Sequence, residues 1–207
     1  MTLHTETEEK IIISAEKLFY QKGKAGASMQ DIADDAGINR PLLNYYFRSK
    51  DKLFEAVFRK ALGSFVPSLA VMLHSDISFE EYVPKMIHVI IDNMIANPQI
   101  PVFVLQELSS NPERMPQIVK EMGIDQKVFE EKMYEKMDTK PDGSKKLKSD
   151  FRQMVINLIS LCIFPFAARP VITGILFNGD DEAFIKAMNE RKEVLPGMFQ
   201  KLISQNQ

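Results

Sequence analysis

The run from Ser28 to Lys50, SMQDIADDAGINRPLLNYYFRSK, constrains the fold more than any other part of this chain. Ser28 stands where a helix N-cap is needed, and Asp31 supplies the carboxylate of a capping box three residues later. Gly37 follows the last turn of this helix, where the backbone needs a positive φ angle to reverse. The run therefore predicts a short helix that ends in a glycine turn.

A second helix is predicted directly after that turn. Asn39 can cap it, and Pro41 falls in its first turn, where the missing N–H would have no intrahelical partner. Leu43 and Phe47 are four residues apart and so share the buried side. Two short helices around a glycine turn predict a helix-turn-helix, and the partner of such a motif is DNA.

An ordered set of residues in and around this run matches a known pattern. The set is Ala15, Leu18, Phe19, Gly23, Ser28, Asp31-Ile32-Ala33, Ala36-Gly37-Ile38, Leu43, Tyr45, Phe47, Ser49-Lys50 and Leu53. It resembles the N-terminal domain of the TetR/AcrR transcriptional regulators. Two positions depart from the family pattern: Asn44 stands where a tyrosine is frequent, and Lys24 stands where an aromatic residue is common.

Apolar spacing predicts helices through the rest of the chain, with no strand-period segment and no repeat. The predicted helices span residues 7–22, about 49–62, 78–95, 102–108, 117–123, 125–137, 148–165 and 181–204, with a loop over 138–146. The expected fold is all-α. The resemblance implies a three-helix helix-turn-helix DNA-binding domain over residues 1–52 and a larger helical ligand-binding and dimerisation domain over 53–207.

The second helix of the motif is expected to enter the major groove of the DNA. Arg40 is the candidate for guanine, and Asn44, one turn later, is the candidate for adenine. Pro41 and Leu42 could pack on a thymine methyl group. The remaining candidates for DNA contact are Ser28, Gln30, Asn39, Tyr45, Tyr46 and Lys50. Ser28 and Asn39 also have a role as caps, whether or not they touch DNA.

The charge of the N-terminal part is close to balanced. Residues 1–60 contain ten lysines and arginines against nine aspartates and glutamates, and the whole chain has a formal charge of −2. A concentrated positive cluster is formed only by Arg40, Arg48, Lys50 and Lys52. At positions such as Arg48 and Lys52, solvated surface charges are more common than DNA contacts. We therefore expect modest non-specific affinity and reliance on dimeric, sequence-specific contacts.

The resemblance implies a homodimer on a palindromic operator and a small-molecule effector that releases the DNA. The candidates for the dimer contact are Leu158, Cys162, Phe166, Phe184, Met188 and Leu195, although about half of these apolar residues could instead close the core of the protomer. The candidates for the ligand site are Met86, His88, Phe103 and Met133. Lys85, His88 and Asp92 share a stripe that could be pocket polarity or a solvent face. The twelve methionines favour a largely hydrophobic ligand.

No secretory signal is expected, because the start MTLHTETEEK is acidic and polar, and the protein is therefore predicted to be cytoplasmic. The apolar segment from Met154 to Phe177 contains Asn157, Pro165, Arg169 and Pro170, which favours a buried helix with a kinked continuation over a membrane span. Cys162, the single cysteine, is expected to be a buried and inert thiol.

An enzyme is not expected. The three histidines show no metal-ligand spacing, and neither a GxSxG motif nor a phosphate-binding glycine loop occurs, so no metal and no cofactor is predicted. The alternative to a ligand-responsive repressor is a DNA-bound assembly or nucleoid factor whose C-terminal domain recognises a protein partner. Loss of DNA affinity on ligand binding would distinguish the two.

Overall fold

The computed structural model describes residues 3–63, 66–121, 126–138 and 151–204. Within those ranges every extended regular element is an α-helix, so the predicted all-α class is confirmed. The helices are α1 (Leu3–Gly26), α2 (Met29–Asp35), α3 (Arg40–Tyr46), α4 (Lys50–Gly63), α5 (Val66–Leu73), α6 (Phe79–Ala96), α7 (Ile100–Ser110), α8 (Arg114–Glu121), α9 (Gln126–Asp138), α10 (Phe151–Ala167), α11 (Arg169–Leu176) and α12 (Asp181–Ser204).

The chain divides into two compact units. The first comprises Met1–Ser64 with Val102–Glu113, and the second comprises Phe65–Pro101 with Arg114–Gln207. The first unit therefore holds α1 to α4 and most of α7. The boundary between residues 52 and 53 stays a prediction.

Aromatic rings fill the centre of the first unit. The ring of Phe19 on α1 meets that of Phe54 on α4 edge-on, with centroids 5.0 Å apart. Phe103 on α7 packs against Phe54 at 5.2 Å and against Phe58 at 5.7 Å. Such pairs contribute about 0.5–1.5 kcal/mol each beyond the area that they bury. The core of the first unit thus includes a segment that lies far along the sequence from α1 to α4.

Helix α1 is interrupted near its C-terminal end. The sequence predicted a helix stop at Gly23, and the structure gives this residue φ 67° and ψ 172°, a backbone conformation that suits glycine. Helical geometry resumes and continues to Gly26. The predicted stop is therefore a break within a longer helix, which starts at Leu3 rather than at residue 7.

Helix α6 is the central element of the second unit. It packs against α5, α9, α10 and α12. Ser78 caps it by accepting a hydrogen bond from the Glu81 amide at 3.3 Å. Eight of its side chains are buried: Phe79, Tyr82, Val83, Met86, Ile87, Ile90, Ile91 and Met94. The pairing with α12 is extended by Lys192, whose Nζ lies 2.6 Å from Oδ1 of Asp92.

Helices α5 and α10 also differ from the sequence-based expectation. Helix α5 was not predicted, because its largely apolar sequence VPSLAVML gives no amphipathic signal. Helix α10 runs past Pro165 to Ala167, and α11 follows at an angle of 75°. A proline removes one hydrogen bond, and the neighbouring bonds can continue the helix for a further turn. The predicted loop over 138–146 and the helix end at Gly123 lie outside the described residues, apart from Asp138.

Candidate nucleic-acid interface

The start of α2 carries the predicted capping box. Ser28 Oγ accepts a hydrogen bond from the Asp31 amide at 3.0 Å, and the Ser28 amide donates to Oδ2 of Asp31 at 3.3 Å. Because Ser28 hydrogen bonds favour the ionised carboxylate, the pKa of Asp31 lies below its ordinary value of 3.8. The box fixes the direction in which the chain enters α2.

The turn between α2 and α3 is a Schellman motif. The Ile38 amide donates to the Ala33 carbonyl oxygen at 3.0 Å, and the Gly37 amide donates to that of Asp34 at 3.1 Å. Gly37 has φ 68°, and no atom lies within 4 Å of the position that a Cβ would take. Glycine is therefore required here by the backbone conformation and not by lack of space.

Helix α3 is capped at its start and anchored on its inner side. Asn39 Oδ1 accepts a hydrogen bond from the Leu42 amide at 2.9 Å. Leu43 is fully buried, and Phe47, which follows the helix, is 7% exposed. These three residues hold α3 in place, so its outer face is available to a partner.

The ten residues predicted to contact DNA lie on α3 and near the starts of α2, α3 and α4. Eight of the ten candidates are exposed: Ser28, Gln30, Asn39, Arg40, Pro41, Leu42, Asn44 and Tyr45. Tyr46 and Lys50 are half-buried. The rings of Tyr45 and Tyr46 meet edge-on at 5.6 Å, and Tyr45 is 70% exposed. Accessibility at these positions is what a contact with DNA requires, and their roles stay predictions.

Besides the caps Ser28 and Asn39, two further candidate contacts form hydrogen bonds within the unit. The Gln30 side-chain amide donates to Asp34 Oδ1 at 2.8 Å, along α2. Lys50 Nζ donates to the Ala27 carbonyl oxygen at 3.3 Å. The second bond joins residues 23 positions apart, and no pattern in the sequence predicted it. Lys52, considered as a surface charge, forms an ion pair with Glu55 at 3.4 Å.

The four ligand-site candidates are divided between the two units. Met86 on α6 and Met133 on α9 are buried in the second unit. His88, also on α6, is half-buried, and its Nε2 lies 3.7 Å from Oε1 of Glu193. Phe103 belongs to the first unit, where it also packs on Tyr20 at 4.8 Å. The structure therefore does not bring all four together in one unit.

The six dimer-contact candidates are buried within the single chain. Leu158, Cys162, Phe166, Phe184, Met188 and Leu195 are each at most 6% exposed. Little of their surface is left for a partner, so within the protomer they serve as core. The apolar surface of the same helices belongs to other residues: Ile156, Ile159, Phe164, Val171, Ile175, Leu176, Val194 and Met198, which are 46–73% exposed.

The described residues contain no group of three or more histidine, cysteine, aspartate or glutamate side chains that could hold a metal ion. Among the described helices none is by itself both long and apolar enough to cross a membrane, although two pairs of consecutive helices together reach that length and composition. Cys162 is fully buried and unpaired with another cysteine, and burial raises the pKa of its thiol to about 12.

Two capped helices joined by a glycine turn, the second with an exposed outer face, define a helix-turn-helix DNA-binding protein. Residues 11–57 match the family described as "Bacterial regulatory proteins, tetR family". This match agrees with the resemblance seen in the sequence, so residues 11–57 are similar to the DNA-binding domain of TetR-family transcriptional regulators.

Relatives and solved structures agree with this assignment. YttP of Bacillus subtilis, named a probable HTH-type transcriptional regulator, is 24% identical over 90% of this chain and 89% of its own. BdcR of Escherichia coli, named an HTH-type transcriptional repressor, is 38% identical over 33% of this chain and 34% of its own. A TetR/AcrR-family regulator from Thermobifida fusca has the same fold, with a TM-score of 0.58 at 18% identity over 92% of this chain and 97% of that one. Both named relatives are regulators, not enzymes.

Proposed function

We propose that this regulator is a dimeric repressor that binds a palindromic operator and leaves it when a small, largely hydrophobic ligand occupies the C-terminal domain. The proposal assigns DNA binding to residues 1–52 and ligand binding and dimerisation to residues 53–207, and it places the protein in the cytoplasm. The observation that carries it is the accessible outer face of α3, which is held from below by Leu43 and Phe47.

Arg40 and Asn44 read base edges in this proposal, with Pro41 and Leu42 beside them. Both polar residues are exposed and lie one helical turn apart, so they can face the same groove. Tyr45, Tyr46 and Lys50 contact phosphates, and Ser28, Gln30 and Asn39 hold the backbone at the two helix starts. The phosphate contacts fix the register of the protein on the DNA, and the base contacts give the preference for one DNA sequence.

A single helix-turn-helix unit buries too little surface for genomic specificity, which supports a dimer. The exposed apolar residues of α10 to α12 support a contact through these helices, because contact with a partner would remove their side chains from water. Two units would then lie about one helical turn of DNA apart.

The proposal is tested by selecting DNA that the full-length chain binds from a random library. We expect one enriched inverted repeat, two protomers on each site, and an affinity that falls as salt concentration rises. A single half-site, or no enrichment, would contradict the proposal. A screen of hydrophobic compounds on the selected DNA tests release. If only charged metabolites released the DNA, the expectation of a hydrophobic ligand would fail; if a protein partner alone did so, the assembly-factor alternative would hold.

A further inference from the structure

The first unit contains a cavity that shares only Lys50 with the proposed DNA contacts. It lies between the C-terminal end of α1, the start of α4 and one face of α7, and its volume is about 670 Å³. Cavities of about 300–1,000 Å³ hold small molecules in other proteins. All of its lining residues belong to the first unit.

The apolar part of the lining is aromatic. Phe54 and Phe103 line the cavity with ring centroids 5.2 Å apart, and Tyr20 packs on Phe103 at 4.8 Å. Phe54 and Phe103 are 2% and 4% exposed, so a ligand would touch only the small part of each ring that borders the cavity. An aromatic ligand suits such a contact, because rings pack favourably on one another.

Two ammonium groups lie beside these rings. Lys24 Nζ is 4.9 Å from the centroid of Phe54 and 3.1 Å from Oδ1 of Asp51, whose side chain is 80% exposed. Lys50 also lines the cavity. An ion pair with an exposed carboxylate contributes only about 0–1 kcal/mol, so Lys24 can exchange Asp51 for the carboxylate of a ligand at little cost.

Helix α7 supplies the polar side of the cavity. Gln106 and Glu107 follow Phe103 at the helical spacing that puts all three on one face. Glu107 is 5% exposed, and Oε1 accepts a hydrogen bond from the Asn111 side-chain amide at 3.1 Å. A carboxylate has about four acceptor positions, so it can accept a further bond from a hydroxyl group.

We propose that the cavity binds a small aromatic acid that carries a hydroxyl group. Its carboxylate pairs with Lys24 and Lys50, its ring packs on Phe54 and Phe103, and its hydroxyl donates to Glu107. The site lies within the first unit. It includes Phe103, one of the four ligand-site candidates, and none of the other three, Met86, His88 and Met133. Since Lys50 is also a proposed phosphate contact, the acid and DNA compete for one ammonium group, and each weakens the binding of the other by the same factor.

The test uses the full-length chain and 4-hydroxyphenylacetate as the probe. Calorimetry measures the binding of the probe in the absence of DNA. We expect saturable binding with one site per chain. The alcohol analogue, 4-hydroxyphenylethanol, should bind about tenfold more weakly, because it lacks the charged group. Absence of saturable binding, or equal binding of acid and alcohol, would overturn the proposal.

Two variants locate the site. Lys24→Phe replaces the ammonium group with an uncharged ring and should weaken probe binding about tenfold or more. Lys24→Met, which removes the charge at similar length, should do the same and guards against a folding defect in the first variant. Lys10→Gln, an exposed lysine of α1 outside the cavity, is the matched control and should bind normally.

Competition with DNA gives a second readout. The probe should weaken DNA binding by the unsubstituted chain and leave that of Lys24→Phe unchanged. If folded Lys24 variants bound the probe normally, the probe would occupy another site and the proposal would be wrong. Because probe binding is measured without DNA, its failure is distinguishable from a failure of operator recognition.

Discussion

Lys50 Nζ lies 3.3 Å from the carbonyl oxygen of Ala27, so the first residue of α4 is tied to the residue that precedes the N-cap of α2. The bond fixes an ammonium group close to the start of the helix-turn-helix. A positioned charge loses less conformational entropy on meeting a phosphate than a freely rotating lysine would.

Lys50→Ala should weaken binding to all DNA sequences alike and reduce the salt dependence by about one phosphate contact. Arg40→Ala should instead relax the sequence preference, with a loss of about 1–3 kcal/mol on the preferred site only. Both are measured by titrating selected and scrambled DNA across a salt series. An unchanged preferred sequence for Arg40→Ala would refute the assignment of Arg40 to base readout.

Asn39→Ala should destabilise the first unit by about 1 kcal/mol, because the Leu42 amide loses its side-chain acceptor. Asn39→Asp keeps an acceptor at the cap and should restore most of that stability, yet it places a negative charge beside the proposed DNA surface. Urea unfolding measures the change in stability, and DNA titration measures the effect of the negative charge on DNA binding. Equal unfolding midpoints for the Ala and Asp variants would show that the cap contributes nothing.

Val171→Glu should increase the Kd of the dimer about tenfold or more, since a carboxylate would be buried without a partner. Val171 is 61% exposed on α11. The matched control is Val71→Glu on α5, where the native side chain is 73% exposed. Sedimentation velocity over a concentration series measures the dimer Kd of both variants. Equal dissociation of the two variants would place the dimer contact away from α11.

Acid should weaken the start of α2. The pKa of Asp31 is lowered in the folded chain, so the unfolded chain binds more protons as the pH falls. The stabilisation is complete at pH values above the pKa of Asp31 in the unfolded chain. It is lost as the pH falls through the pKa of Asp31 in the folded chain. Asp31→Asn should therefore show a shallower loss of stability between neutral pH and about pH 3. Glu8→Gln, at an exposed position of α1, controls for removal of one carboxylate.

Cys162 should not react with a thiol reagent in the folded chain. It is fully buried, and burial raises the pKa of its thiol to about 12, so both access and the thiolate are lacking. The reaction should follow the unfolded fraction across a urea series. Rapid labelling in buffer would show that α10 opens locally, at a free energy well below that of global unfolding.

Local chemistry made the helix-turn-helix predictable. The Ser28 and Asp31 box, the turn at Gly37 and the cap at Asn39 each involve residues at most five positions apart, and all three are present. Short-range spacing determines such contacts. The remaining DNA-contact roles were predicted from residue type, and the structure adds their accessibility.

Contacts between distant segments were not predictable in this way. The bond from Lys50 to Ala27 and the packing of Lys24 on Phe54 depend on how helices meet, which periodicity does not encode. The same limit applies to α10. This helix is apolar on several sides, so its pattern could not separate buried residues such as Leu158 from exposed ones such as Ile159.

The small number of buried residues in α3 has a consequence for the evolution of such a regulator. Among its seven residues only Leu43 is buried, and Arg40, Pro41, Leu42, Asn44 and Tyr45 are exposed. Surface substitutions usually alter stability by less than about 0.5 kcal/mol. Mutations at these five positions can therefore accumulate without unfolding the unit. A duplicated gene could acquire a new set of target promoters through this helix while the scaffold beneath it stayed the same.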